Sequence, residues 1–279
     1  MKDYPTITLN DGSVMPQIGL GVWQAKDGDE TRSAVRTAIE TGYRLIDTAA
    51  VYRNEESVGL GIKDTGIPRE ELFVTTKLWN SDQGAANVRP ALEASLKRLG
   101  LDYVDLYLIH WPTPSRDLSV ETWEEFEKLK SDGLARSIGV SNFRVEDLER
   151  LKNETNVVPS INQIELHPNF QQRELRDYGA THGIQIESWS PIGGSKGNLL
   201  ENPILNELAA KHSKSPAQIV IRWHIQHGLV VIPKSVHANR IKENFDVFDF
   251  ELSAEDMSLI DSLATGVRVG PDPATMNNH

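Results

Sequence analysis

The sequence has no cysteine, which removes disulfides, thiolate nucleophiles and cysteine-ligated zinc together. It also has no block of Lys and Arg: 29 basic residues stand against 40 acidic ones, a net charge of −11. Nucleic-acid phosphates need clustered cations, so this balance argues against a nucleic-acid partner while leaving room for one local basic pocket. No apolar run approaches the ~20 residues that span a bilayer. The opening stretch, MKDYPTITLN, lacks the apolar core of a secretion signal. The expected setting is therefore cytoplasmic, with no membrane partner, and the sequon Asn153-Glu154-Thr155 is incidental. Low-complexity tracts and Pro/Gly/Ser linkers are missing too, so residues 1–279 read as a single domain.

What is present is a rhythm of apolar strand, loop, amphipathic helix and strand again. Thr6–Leu9, Asn10-Asp11-Gly12-Ser13 and Val14-Met15 read as a β-hairpin, because Asp-Gly supplies the positive φ of a tight turn. Eight candidate strands follow: Ile18–Gly21, Leu45–Asp47, Phe73–Lys77, Val104–Ile109, Ser137–Val140, Ser160–Glu165, Gln185–Trp189 and Val230–Pro233. Between them, Thr31–Thr41, Ala85–Leu99, Glu121–Lys130 and Val145–Leu151 carry helical spacing. Gly100 stands where a left-handed C-cap belongs. Strands joined by helices imply parallel pairing with right-handed crossovers. Eight such units, in a chain near the ~250 residues typical of α/β barrels, predict a (β/α)8 TIM barrel with the hairpin closing its bottom. A doubly wound sheet is the competitor. Its dinucleotide fingerprint is incomplete here, since Gly19-Leu20-Gly21-Val22-Trp23 stops at two glycines.

Barrel active sites lie at the carboxyl ends of the strands. Those ends carry Trp23, Asp47 with Tyr52, Lys77 with Trp79, His110 with Trp111, Ser141-Asn142, Gln163 with Glu165, Trp189-Ser190 and Lys234-Ser235. Singly, an Asp is a helix cap, a Tyr is core, a Lys is a solvated tip and a His is structural. Together at consecutive tips, Asp47, Tyr52, Lys77 and His110 suit reversible proton donation to an oxygen. A free Tyr, with a pKa near ~10, is a weak donor at neutral pH, and a neighbouring ammonium favours its phenolate. Lys77 is therefore expected to lower the Tyr52 pKa toward the working range. Asp47 would hold Lys77, and a neutral His110 would orient the substrate oxygen. Metal catalysis fits less well, because no His-x-His marks the first strand and His224-x-x-His227 lies in the helical stretch Ala217–His227. A Schiff base on Lys77 is a minor alternative, since its neighbours suit a tuning role.

The tetrad sits in blocks that resemble the aldo-keto reductase family across nearly the whole chain. They are Gly42-Tyr43-Arg44-Leu45-Ile46-Asp47-Thr48-Ala49 with Tyr52, Asn54-Glu55-Glu56, Thr76-Lys77-Leu78-Trp79, Val104–Pro112, Ile138–Phe143, Asn162-Gln163-Ile164-Glu165 and Ile232-Pro233-Lys234-Ser235. Glu165-Leu166-His167-Pro168, Glu187-Ser188-Trp189 and Asp246–Phe250 look most like the bacterial 2,5-diketo-D-gluconic acid reductases of that family. The resemblance implies a barrel that binds NADPH/NADP+ without a Rossmann fingerprint, with Tyr52 as proton donor supported by Asp47, Lys77 and His110. It implies Ser141, Asn142 and Gln163 on the nicotinamide carboxamide and Trp189 stacked on the ring. Gly21 and Val22, with the loop Ser190-Pro191-Ile192-Gly193-Gly194-Ser195-Lys196-Gly197, would also contact the cofactor. Lys234, Ser235 and Arg240 would select the 2′-phosphate, and Val236, His237, Glu243 and Asn244 would contact the adenosine. His237 departs from relatives that carry Arg there.

Of six Trp, four (Trp23, Trp79, Trp111 and Trp189) follow strands, which with His110 suggests an apolar mouth for an organic carbonyl compound. The short polar tail Gly266–His279 suggests an open, permissive pocket. The expected activity is NADPH-dependent reduction of aldehydes, ketones, dicarbonyls or keto-sugars such as 2,5-diketo-D-gluconate, by a monomer. The alternative is a non-catalytic NADP-binding redox-sensing subunit.

Overall fold

The computed structural model describes residues 4–194 and 198–277. Two short strands, β1 (Thr6–Thr8) and β2 (Val14–Pro16), pair antiparallel as the expected hairpin. Gly12 takes φ +86° at its turn, a conformation in which a side chain is strained. Eight parallel strands follow: β3 (Gly19–Gly21), β4 (Leu45–Asp47), β5 (Phe73–Leu78), β6 (Val104–Ile109), β7 (Ala135–Ser141), β8 (Ile161–Glu165), β9 (Gln185–Trp189) and β10 (Val230–Val231). They are hydrogen-bonded in chain order from β3 to β10. Parallel bridges from Ile18 to Val231 and from Gly21 to Lys234 join the two edges, so the sheet closes on itself. The helices are α1 (Asp29–Thr41), α2 (Glu55–Thr65), α3 (Ala85–Leu99), α4 (Ser119–Ser131), α5 (Val145–Glu154), α6 (Arg173–His182), α7 (Pro203–His212), α8 (Pro216–Gln226), α9 (Ala238–Phe245) and α10 (Ala254–Asp261). This is the (β/α)8 barrel expected from the sequence. Boundaries move by a few residues: β5 runs one residue past Lys77, and β10 is two residues long.

The period of two along each strand builds both the core and the site. In β4, Leu45 joins the cluster inside the barrel, Ile46 joins the cluster under the helices, and Asp47 has the parity of Leu45. In β5 and β6 the same alternation puts Phe73, Leu106 and Leu108 inside, with Val74, Tyr107 and Ile109 outside. Lys77 and His110 share the inward parity of Phe73 and Leu108. Ile161 of β8 and Val230 of β10 complete the interior, and Leu9 and Met15 of the hairpin pack against it. The inward positions are thus mostly apolar at the bottom, where the hairpin covers them, and polar at the top. Burying the lower layer favours the closed barrel at about 25 cal/mol per Å² of apolar surface. The upper layer must satisfy its polar groups internally.

Candidate active site

Lys77 is 0% exposed, so its ammonium must find partners within the protein. It has three. Nζ donates to Asp47 Oδ1 at 2.6 Å and to the Thr48 carbonyl at 2.9 Å, and reaches Tyr52 Oη at 3.5 Å. An ammonium has three hydrogens, so these contacts account for all of them. Burial is the largest single effect and disfavours the charge, but Asp47, Tyr52 and Glu187 together offset it and hold the Lys77 pKa above the ordinary value. The other Asp47 oxygen, Oδ2, accepts from Gln163 Nε2 at 2.8 Å. The second Nε2 hydrogen goes to Glu187 Oε2 at 2.9 Å. Gln163 and Glu187 are register partners on β8 and β9, both buried and at the level of the tetrad.

Tyr52 ends a short 3₁₀ turn, Ala50–Tyr52, just after β4. Its pKa departs from the sequence expectation. Burial of the hydroxyl raises it, Lys77 lowers it, Asp47 and Glu187 raise it further, and the net direction is upward. Lys77 acts with the expected sign, but desolvation is the larger effect, so Tyr52 is a firmly protonated phenol. His110 is edge-on to the Tyr52 ring at 5.8 Å between centroids. Burial, and then the Lys77 charge, push its pKa well below the ordinary range, so the imidazole is neutral. Its Nδ1 is buried without a partner. Trp79 meets His110 edge-on at 5.3 Å and Trp111 lies parallel to it at 6.3 Å. Trp23, by contrast, is 52% exposed and stands outside this ring cluster.

Beside the tetrad, Asn142 takes φ +63° after β7. Its Nδ2 donates to the His110 carbonyl and Ser141 Oγ, both at 3.0 Å, and its Oδ1 accepts from Trp189 Nε1 at 2.9 Å. Ser141 Oγ donates to the Gln163 carbonyl. Trp189, Ser141, Asn142 and Gln163 therefore form one connected group next to Asp47 and His110. Val22 is buried, its N–H on the Asp47 carbonyl, and Gly21 bridges to Lys234. Ser190 and Gly193 have positive φ, Pro191 is buried and Ile192 partly so. Residues Ser195, Lys196 and Gly197 of that loop lie outside the described residues. Lys234, His237 and Arg240 are exposed at the start of α9, Val236 and Glu243 are partly buried, and Ser235 and Asn244 are buried. Among the described residues no carboxylate pairs with Lys234 or Arg240. His224 of α8 bonds the Val220 and Leu166 carbonyls, and His227, just past the end of α8, bonds Asp261.

The start of the tail is anchored to the barrel rim. Val269 and Gly270 donate their backbone N–H groups to Glu165, at 2.6 Å to Oε1 and 2.9 Å to Oε2. His167 Nε2 adds a 3.0 Å bond to Oε1, and Arg268 lies 3.8 Å from Oε2. A Cβ on Gly270 would fall 2.3 Å from Trp189 Cη2, so only glycine lets the chain lie against that indole. Farther on, Asn277 Oδ1 accepts from the Ser115 N–H, carrying the tail across to the β6–α4 loop. Asn278 and His279 lie outside the described residues. Backbone donors make this clamp, and residue composition does not display them. The sequence reading missed Glu187 as a member of the site. The available signal was a carboxylate at an inward position in the buried middle of a strand.

A sequence model described as the Aldo/keto reductase family matches residues 17–265. The chain is 53% identical to a glyoxal reductase of Bacillus subtilis over 98% of its own length and 97% of the relative's. It is 55% identical to methylglyoxal reductase DkgA of Yersinia pestis, covering 98% of each. The crystal structure of a Gox0644 point mutant in complex with NADPH superposes with a TM-score of 0.93, at 49% identity, over 98% of this chain and 99% of that one. Barrel, tetrad geometry and sequence agree: the chain belongs to the aldo/keto reductase family.

Proposed function

We propose that this protein reduces small carbonyl compounds to alcohols with NADPH, α-dicarbonyl aldehydes foremost, with Tyr52 as proton donor. The observation that carries this reading is the wholly buried Lys77 ammonium held between Asp47 Oδ1 and Tyr52 Oη. The residues present fit the coenzyme. Both Nε2 hydrogens of Gln163 are engaged by Asp47 and Glu187, so its Oε1 is what it offers a carboxamide N–H₂. Trp189 is braced by Asn142 on one side and Gly270 on the other, a fixed platform for a flat ring. Lys234 and Arg240, exposed and without carboxylate partners on a chain of net charge −11, suit a phosphate dianion with Ser235 beside them. Val236, His237, Glu243 and Asn244 would line the adenosine, and Gly21, Val22, Ser190, Pro191, Ile192 and Gly193 the stretch between.

Bound NADPH supplies a hydride to the carbonyl carbon. Tyr52 gives its proton to the carbonyl oxygen, and Lys77, already at the phenol oxygen, stabilises the phenolate left behind. Asp47 fixes Lys77 in position and keeps it charged. His110, neutral, offers one N–H to the same oxygen and sets its direction. Trp79 and Trp111 form the apolar wall around the organic group. Support for dicarbonyls comes from the two relatives, whose names describe glyoxal and methylglyoxal reductases; keto-sugars such as 2,5-diketo-D-gluconate belong to the same test. NADPH oxidation should be followed with glyoxal, methylglyoxal and a keto-sugar, using the parent and Tyr52→Phe. The parent should turn over the dicarbonyls best. Tyr52→Phe should bind NADPH as before and lose at least ~100-fold in kcat. NADPH binding with no turnover of any carbonyl compound by the parent would refute the proposal.

A further inference from the structure

Among the described residues, Glu187 is the one ionisable side chain touching this polar group that the proposed reaction leaves unused. It is 0% exposed, on β9, level with Gln163. The charged and titratable groups facing it are Asp47 from β4, Lys77 from β5 and the Tyr52 phenol beyond β4. Only Lys77 among these is a cation, and its three hydrogens are taken by Asp47, Thr48 and Tyr52. Gln163 reaches both carboxyl groups, but an amide carries no charge to balance the second one. Glu187 Oε1 has no hydrogen-bond partner among the described residues. Two buried carboxylates against one ammonium would leave an unpaired charge in a sealed space, which is expensive. One proton kept on the carboxyl pair would avoid this, and Glu187, lacking contact with a cation, is the member better placed to hold it.

We propose that Glu187 is a positioning residue that works as a neutral carboxylic acid: through the Gln163 amide it holds Asp47 on Lys77, and losing its proton sets the alkaline limit of carbonyl reduction. This rests on the reading of Tyr52 as proton donor. Burial, and then the charge of Asp47, push the Glu187 carboxyl up to about 8, which agrees with the geometry. Asp47 and Glu187 titrate as a coupled pair, so the step belongs to both while its proton sits mainly on Glu187. An ionised Glu187 raises the Tyr52 pKa further, making the phenol a poorer donor.

Two measurements test it. Infrared spectroscopy of the coenzyme-free parent should show a buried protonated carboxyl at neutral pH that disappears as the pH rises through about 8. No such band at neutral pH overturns the proposal, whether or not any variant folds. Glu187→Gln keeps the shape and removes the titration. Its alkaline limb should move upward by about one pH unit or more. A folded Glu187→Gln with the parent's alkaline limb overturns it. Absence of turnover by the parent would instead strike the reductase reading, since the infrared measurement needs no reaction.

Discussion

Glu165 and Glu187 sit on neighbouring strands, both buried, yet the fold treats them in opposite ways. At the rim, burial pushes the Glu165 carboxyl up, but His167 and the Val269 and Gly270 N–H groups together bring it below its ordinary value. In the floor of the site, Glu187 receives one amide hydrogen and faces the negative charge of Asp47, and it is raised to about 8. Burial is common to both; what differs is the Asp47 charge beside Glu187 and the number of donors aimed at each carboxyl. The rim carboxylate anchors a segment of chain, and the floor acid keeps a charged pair in balance.

The comparison breaks first at Lys77. Replacing it with Met leaves two buried carboxyl groups and no cation, which should cost about 3–5 kcal/mol in a denaturant titration and abolish turnover. A variant as stable as the parent would mean that the floor does not depend on this cation. The pH dependence of stability sharpens the contrast, because the two glutamates act with opposite signs. Glu187 has a raised folded pKa, so its contribution is full below the unfolded glutamate pKa and is lost as pH rises toward about 8. The slope is at most ~1.4 kcal/mol per pH unit. Glu187→Gln should flatten that decline. Glu165 has a depressed folded pKa, so its contribution is present above the unfolded pKa and is lost as pH falls through the folded one. Glu165→Gln should therefore cost about 1.5–3 kcal/mol at neutral pH and much less in acid. Parallel pH profiles for the two variants would erase the distinction.

Smaller effects probe the edges. Gly270→Ala would force a methyl group onto Trp189, destabilising by about 1–3 kcal/mol. It should also change the Trp fluorescence response to NADPH, and an unchanged response would detach the tail from the platform. Arg240→Ala, which touches neither glutamate, should raise KM for NADPH about tenfold and leave KM for NADH unaltered, a difference of ~1.4 kcal/mol. Equal losses for both coenzymes would contradict its phosphate role.

The barrel was legible because apolar strand runs alternate with helical spacing, and the tetrad because successive runs end on Asp47, with Tyr52 just after it, on Lys77 and on His110. What escaped was whatever depends on counting partners. Tyr52 was expected to be acidified because a cation is visible in sequence and a desolvation penalty is not. Glu187 was noticed as part of a family block, although its balance against Asp47 exists only once β4, β8 and β9 surround one space. The tail was read from its polarity, while its anchoring depends on two backbone N–H groups that every non-proline residue possesses.

The most direct measurement is a pH titration of the parent protein labelled with ¹³C at the glutamate carboxyls, with Glu165 and Glu187 assigned from their Gln variants. Glu165 should titrate below the ordinary glutamate range and Glu187 near about 8. Both signals moving together in the ordinary range would contradict the account.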